Sequence, residues 1–238
     1  MLTELARRWP LLQGLIDFVY PPLCAGCGEF DESQDSVCQR CINLIDWYAS
    51  PFEISDAPAA ETEPPTKAST LRFPLFAGGD YVDPLKRLVI QYKFHGVIGL
   101  ADFMADRMAE TYAKPFADLL PATLVPIPLH AGREYTRGYN QALVFAKALA
   151  RRTDFDIDHS ILVRTKRRRP QARLKQADRE HNIEDVFGVT ALPDESGVTR
   201  VVLVDDVVTS GATVREAKKT LEDFGYKVIA AISMAHGV

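Results

Sequence analysis

From about residue 71 to the C-terminus, short apolar runs alternate with stretches of helical periodicity. Leu124 to Pro128, Ile161 to Val163, Val186 to Val189, Val201 to Val204 and Val228 to Met234 read as short strands. Asp83-Pro84 is an N-cap followed by proline at the first helical position, and Leu85, Leu88 and Val89 then form a helical stripe. A second helix spans about Gly99 to Tyr112, with Leu100, Phe103, Met104 and Met108 facing inward. Asn140 opens a third, whose core face is Leu143, Ala146, Leu149 and Ala150. In a fourth, Val214, Ala217, Leu221 and Phe224 share one side, and Gly225 sits where a left-handed C-cap belongs. Strands alternating with helices predict an α/β fold with a mostly parallel sheet flanked by helices. Ligands bind such sheets at the carboxyl ends of the strands, which places the Pro126-to-His130 exit and the Asp205-Asp206 exit at one cleft.

The chain before this domain has a different pattern. Leu5, Leu12, Leu15, Ile16 and Val19 give an amphipathic helix over Leu2 to Tyr20, ended by Pro21 and Pro22. Ser55 to Thr70 carries several prolines and almost no large apolar residue, the composition of a linker. The organisation expected is an N-terminal helix and cysteine module over 1–50, a linker over 51–70 and the α/β domain over 71–238.

Composition narrows the classes. With 238 residues, 47% hydrophobic and 25% charged, the chain has the make-up of an ordinary globular protein. A net charge of −4 argues against a wholly basic nucleic-acid binder. No apolar run approaches the roughly 20 residues of a membrane span, so membrane insertion is not expected. Pro10, Gln13 and Asp17 interrupt the N-terminal apolar stretch and no small-x-small cleavage site follows, which suits a cytoplasmic location rather than secretion.

The chemistry concentrates in two places. After the strand at Val201 to Val204 come two acids, Asp205 and Asp206, then Thr209, Ser210, Gly211, Ala212 and Thr213 and the start of a helix. Backbone N–H groups and the positive helix end converge there on one spot that suits a phosphate. Gly211 lets the backbone approach closely, and the neighbouring carboxylates suit vicinal hydroxyls or a hydrated Mg²⁺. The second place holds every cysteine of the chain: Cys24 and Cys27, then Cys38 and Cys41, two Cys-x-x-Cys knuckles ten residues apart. Four thiolates at this spacing suit one tetrahedral Zn²⁺ in a structural role, because four cysteines leave no open coordination position. A disulfide or redox dithiol fits less well in a cytosolic chain with two such pairs.

Between Arg164 and Arg179 stand eight Lys or Arg residues against one acid, Asp178. Such a loop could close over a pyrophosphate or hold a nucleic-acid backbone, and the residues leave both open. Of the scattered histidines, His130 alone follows a strand exit.

The strand, acid pair and Thr-Ser-Gly-Ala-Thr turn resemble the phosphoribosyl pyrophosphate (PRPP) loop of type I phosphoribosyltransferases. The resemblance implies a phosphoribosyltransferase-like domain in which Asp205 and Asp206 hold the ribose hydroxyls. Thr209, Ser210, Gly211, Ala212 and Thr213 would hold the 5′-phosphate. The ordered set of paired Cys-x-x-Cys, Tyr92-Lys-Phe-His-Gly96, Pro126-Ile-Pro-Leu-His130, Arg137-Gly-Tyr-Asn-Gln141, Pro170-Gln-Ala-Arg-Leu174, Arg179-Glu-His-Asn182 and PRPP loop is similar to the ComF family of competence-associated proteins. That resemblance covers Pro21 to Met234 and implies a zinc module, PRPP with Mg²⁺, and a role in natural transformation in handling incoming single-stranded DNA, alongside other DNA-uptake proteins. Lys93, His130, Arg133 and Arg137 would contact pyrophosphate or another anion, and Arg164, Lys166 and Arg179 are the candidates for assisting transfer. His130 is followed by Ala131-Gly132 where the family carries more arginine, and Arg167-Arg168-Arg169 adds charge that favours DNA. Two functions stay open: a PRPP- or DNA-binding adaptor without turnover, and an active transferase acting on a base or small nitrogen nucleophile in nucleotide metabolism.

Overall fold

The structure is a computed structural model that describes residues 21–31, 36–55, 72–129, 137–164, 187–193 and 199–237. The N-terminal helix expected over Leu2 to Tyr20, most of the linker and most of the basic loop fall outside the described residues. So do the candidates His130, Arg133, Lys166 and Arg179.

Six strands form the main sheet: β1 (Phe52–Ser55), β2 (Arg72–Ala77), β3 (Thr123–Pro126), β4 (Asp156–Ile157), β7 (Arg200–Val208) and β8 (Lys227–His236). Their spatial order is β1-β2-β8-β7-β3-β4, and only β1 runs antiparallel to its neighbour. Two strands that periodicity assigned to this sheet lie elsewhere. β5 (Leu162–Arg164) and β6 (Phe187–Val189) pair antiparallel with each other as a separate ribbon. Their apolar runs look alike on paper, but only backbone pairing decides which sheet a short strand joins. Residues 52–55, within the span read as linker, are instead an edge strand registered Phe52 to Leu75.

The sheet is covered on both faces, which explains the unbroken apolar run in β7. Val202 and Val204 point into a core with Phe76, Leu124, Ala230 and Ile232. That core includes residues of α2 (Leu85–Phe94), α3 (Gly99–Thr111), α4 (Ala113–Leu119) and α5 (Gln141–Ala150). Val201 and Leu203 point the other way, into a second core with Val125, Ala231 and Val214, Ala217 and Leu221 of α6 (Ala212–Asp223).

Three side-chain assignments need correction. In α5 the buried face is Ala142, Phe145, Ala146, Ala148 and Leu149, with the large Phe145 ring fully buried, while Leu143 and Ala150 are only half-buried. Phe224 lies beyond the end of α6 and is 45% exposed. Pro84, not Asp83, stands at the N-cap of α2, and Asp83 pairs with Arg87 one turn on, at 3.0 Å.

The cysteine module is packed against this domain. Cys24, Val37, Cys41 and Ile45 belong to the same core as Leu85, Leu100 and Met104. After α1 (Gln39–Leu44), Trp47 pairs with Gly79 and the Tyr48 N–H donates to the Gly78 carbonyl at 3.0 Å. A β-carbon on Gly79 would stand 2.6 Å from the Asp46 carbonyl oxygen, so the close passage of the two backbones requires glycine there.

Candidate phosphosugar site and cysteine cluster

The central strand continues past its apolar run. Asp205 and Asp206 lie within β7, which pairs with β8 as far as Val208 opposite His236, rather than in a turn. Both acids therefore have a rigid backbone at the carboxyl end of the sheet. The Asp205 carboxylate accepts the Asp206 N–H at 2.8 Å. Burial, then the adjacent Asp206 charge, push its pKa up to about 7 against the opposing pull of the Asp206 amide, Lys93 and Arg164.

Asp206 is in a different position. Its carboxylate meets the Lys93 ammonium at 2.8 Å, with side chains only 11% and 15% exposed. Lys93 reaches it from the last turn of α2. The sequence placed Lys93 against an external anion; in the structure its partner is the acid pair itself. Lys93 is held in place by the residue before it, since Tyr92 is buried and its hydroxyl donates to the Gln141 carbonyl at 2.7 Å. Tyr139 in turn donates to the Tyr92 carbonyl.

Two motifs separated by more than forty residues thus interlock. Arg137 lies with its guanidinium 4.7 Å from the Phe94 ring centroid and donates to Gln141 Oε1 at 3.2 Å. Asn140 caps α5 by accepting the Leu143 N–H, and its amide nitrogen donates to the Ile127 carbonyl at 3.2 Å. The Ile127 N–H donates to the Val204 carbonyl at 2.9 Å, which ties the Pro-Ile-Pro exit to the strand that carries the acids. Arg164, at the end of β5, stacks over Phe187 at 5.3 Å, and its charge acts on Asp205.

The loop after β7 is open. Thr209, Ser210, Ala212 and Thr213 are exposed, and Gly211 alone is buried. Gly211 adopts φ +74°, and an added β-carbon would meet Arg215 Nη1 at 3.0 Å and Ile54 Cγ2 at 3.1 Å. Arg215 donates to the Ser210 carbonyl at 2.8 Å and so fixes the loop from the first turn of α6. The N–H groups of that turn lack intrahelical partners by geometry and carry the positive end of the helix. Sequence reasoning missed Arg215 and Ile54; the first sits on an ordinary helical register and the second in a strand that was not recognised. It also missed the rim beside this loop, where Phe52 and His236 meet edge to face at 4.5 Å and Tyr48 donates to Asp80.

In the N-terminal module the four cysteine sulfurs lie within 4.8 Å of one another. Cys27 and Cys38 Sγ are 3.8 Å apart, far beyond a disulfide bond. It is also the edge of a tetrahedron with Zn–S bonds of about 2.3 Å, which gives about 3.8 Å. Cys24 accepts N–H groups from Gly26 and Cys38, each at 3.3 Å. Burial raises its thiol, but the Cys38, Cys27 and Gly26 amides outweigh it and hold the pKa down to about 6, so a thiolate is ready for metal. The donor set fits a structural zinc ion.

The comparisons with known proteins agree with this geometry. A phosphoribosyl transferase domain model matches residues 140–238 and a double zinc ribbon domain model matches residues 15–52. Together with the sheet and the acid-pair loop, they define a phosphoribosyltransferase-like α/β domain preceded by a zinc ribbon. The chain is 30% identical over 216 residues to competence protein F of Haemophilus influenzae, covering 90% of both proteins. It is 27% identical over 205 residues to the DNA utilization protein YhgH of Escherichia coli, covering 84% of this chain and 83% of that one. To competence protein ComFC of Bacillus subtilis it is 30% identical over 145 residues, 61% of this chain and 56% of that protein. The chain belongs to the ComF family. Among the described residues no helix is long and apolar enough to cross a membrane.

Proposed function

We propose that this chain binds PRPP, or a related phosphorylated ribose, at the end of β7 and serves in the cytoplasmic handling of incoming single-stranded DNA. The observation that carries this is the placement of the acid pair on the central strand, directly before an exposed loop at a helix start. Asp205 and Asp206 would take the ribose hydroxyls, and Thr209 to Thr213 the 5′-phosphate. Mg²⁺ would arrive with the pyrophosphate and draw on the acid pair for oxygen ligands. Lys166 and Arg179 belong to the basic loop that would close over the leaving group, with Arg133 and His130 near it. The DNA role draws on the names of the relatives, one a competence protein and another a DNA utilization protein. Such a role would bring other DNA-uptake proteins into contact with the chain.

Titration calorimetry with PRPP and Mg²⁺ tests the ligand. Binding with a 1:1 stoichiometry is expected, and replacing both Asp205 and Asp206 by Ala should abolish it. Heat that persists in the double variant would place the ligand elsewhere.

One observation favours a second reading, an active transferase. A carboxyl poised near neutral pH, as Asp205 is, suits a general base. It would accept the proton of a nitrogen nucleophile as the C1–N bond forms and the bond from C1 to the pyrophosphate oxygen breaks. Pyrophosphate release from PRPP, Mg²⁺ and a panel of bases separates this enzyme from an adaptor that binds without turnover.

A further inference from the structure

Three successive residues at the end of α2 point three ways. Tyr92 goes into the core and Lys93 to Asp206 at 2.8 Å, while Phe94 stands out in solvent, 61% exposed. An exposed phenyl ring stabilises a fold very little, since its transfer from water is incomplete. Yet this ring has a fixed neighbour. The Arg137 guanidinium lies 4.7 Å from its centroid, and that guanidinium is anchored by Gln141 Oε1 at 3.2 Å, on a glutamine that is fully buried. Anchoring Arg137 holds a cation against the ring, one residue along α2 from the Lys93 that meets Asp206.

A displayed aromatic beside an oriented guanidinium matches one chemistry closely. Unpaired bases stack on aromatic faces whatever their sequence, and the adjoining phosphodiester takes a cation. Paired bases in a duplex do not present their faces, so the partner must be single-stranded. We propose that Phe94 and Arg137 form a stacking platform for an unpaired nucleobase of single-stranded DNA. The platform rests on the proposed DNA role, but it does not require the acid pair to hold a phosphorylated ribose.

Fluorescence anisotropy of a labelled oligothymidylate against the full zinc-loaded chain tests it, with ribose 5-phosphate calorimetry run on the same proteins. Phe94→Leu is expected to weaken oligothymidylate binding at least about five-fold, the low end for loss of one base stack. Phe94→Trp should bind within about two-fold of the original protein, and its added indole emission should be quenched by the oligonucleotide. Arg137→Gln should lower the slope of log affinity against log salt by about one, as loss of one phosphate contact does, whereas Phe94→Leu should leave that slope unchanged. Ribose 5-phosphate binding should be equal in Phe94→Leu and the original chain. The proposal is overturned if Phe94→Leu holds the oligonucleotide as well as the original chain, in which case the ring serves a protein partner or none. It is also overturned if the original chain binds no oligothymidylate at low salt, or if Phe94→Leu loses ribose 5-phosphate in equal measure. Should neither protein bind ribose 5-phosphate while the leucine variant still loses the oligonucleotide, the phosphoribose reading fails and the platform stands.

Discussion

Asp205 and Asp206 are identical side chains one position apart, and the fold gives them opposite surroundings. Alternation along a strand turns them to different sides, so one meets the Lys93 ammonium and the other is left to burial and its neighbour's charge. A carboxyl whose folded pKa is raised above its unfolded value contributes stability at low pH that is lost as pH climbs through the folded pKa. For Asp205 that window runs from about pH 4 to about 7. Asp205→Asn should therefore gain on the original protein as pH rises from 4.5 to 7.5, by about 2 °C or more in Tm, roughly 1 kcal/mol in a chain of this size. Paired thermal melts across that range check it, and parallel curves would deny the raised pKa. At this scale the acids themselves were legible in the chain as a motif. The partner of Lys93 was not, because nothing in the order Tyr-Lys-Phe says that its helix ends over β7.

At the scale of elements, the loop and helix after β7 were foreseen in position, and the strand was foreseen too short. A buried central strand reads as apolar only while both faces are covered. Asp205 and Asp206 interrupt the apolar run, but backbone pairing with β8 continues to Val208, which is buried again. Gly211 is the pivot between strand and helix. Its φ of +74° costs a residue with a β-carbon about 1–2 kcal/mol, and Ile54 and Arg215 would each have to give way as well. Gly211→Ala should lower Tm by roughly 2–8 °C and weaken PRPP binding in calorimetry, since the loop amides would be re-aimed. An alanine variant with unchanged affinity would show that the loop is not the phosphate cradle. Edge strand β1, which supplies Ile54, escaped notice because four residues between a turn and a proline-rich stretch carry too little periodicity.

At the scale of the whole molecule, the cysteine module and the α/β domain share one core. Cys41 and Ile45 are buried with helices α2 and α3, and Trp47 donates to the Ile42 carbonyl at 2.9 Å while its ring meets Phe103 at 6.1 Å. The segment then meets Gly78, Gly79 and Asp80, the last bridged to His236 at the end of β8. Losing the metal should therefore be felt well outside the knuckles. In a Trp9→Phe background, a chelator or Cys41→Ser should lower Tm by about 5 °C or more and shift Trp47 emission to the red. An unshifted emission spectrum in the chelated protein would mean that the module holds its place without zinc.

The chain's own order of residues was enough to establish the α/β class, the four-thiolate cluster and the acid-pair loop. Each of these is local: a period, a spacing of two or ten, or a run of nine residues that carries its own chemistry. What only the tertiary structure decided is who meets whom. The ribbon of β5 and β6, the docking of the zinc module, the Lys93–Asp206 pair and the Phe94–Arg137 stack join segments tens of residues apart or more. Such meetings depend on how faces pack and which backbones pair, and neither has a signature in a single stretch of sequence.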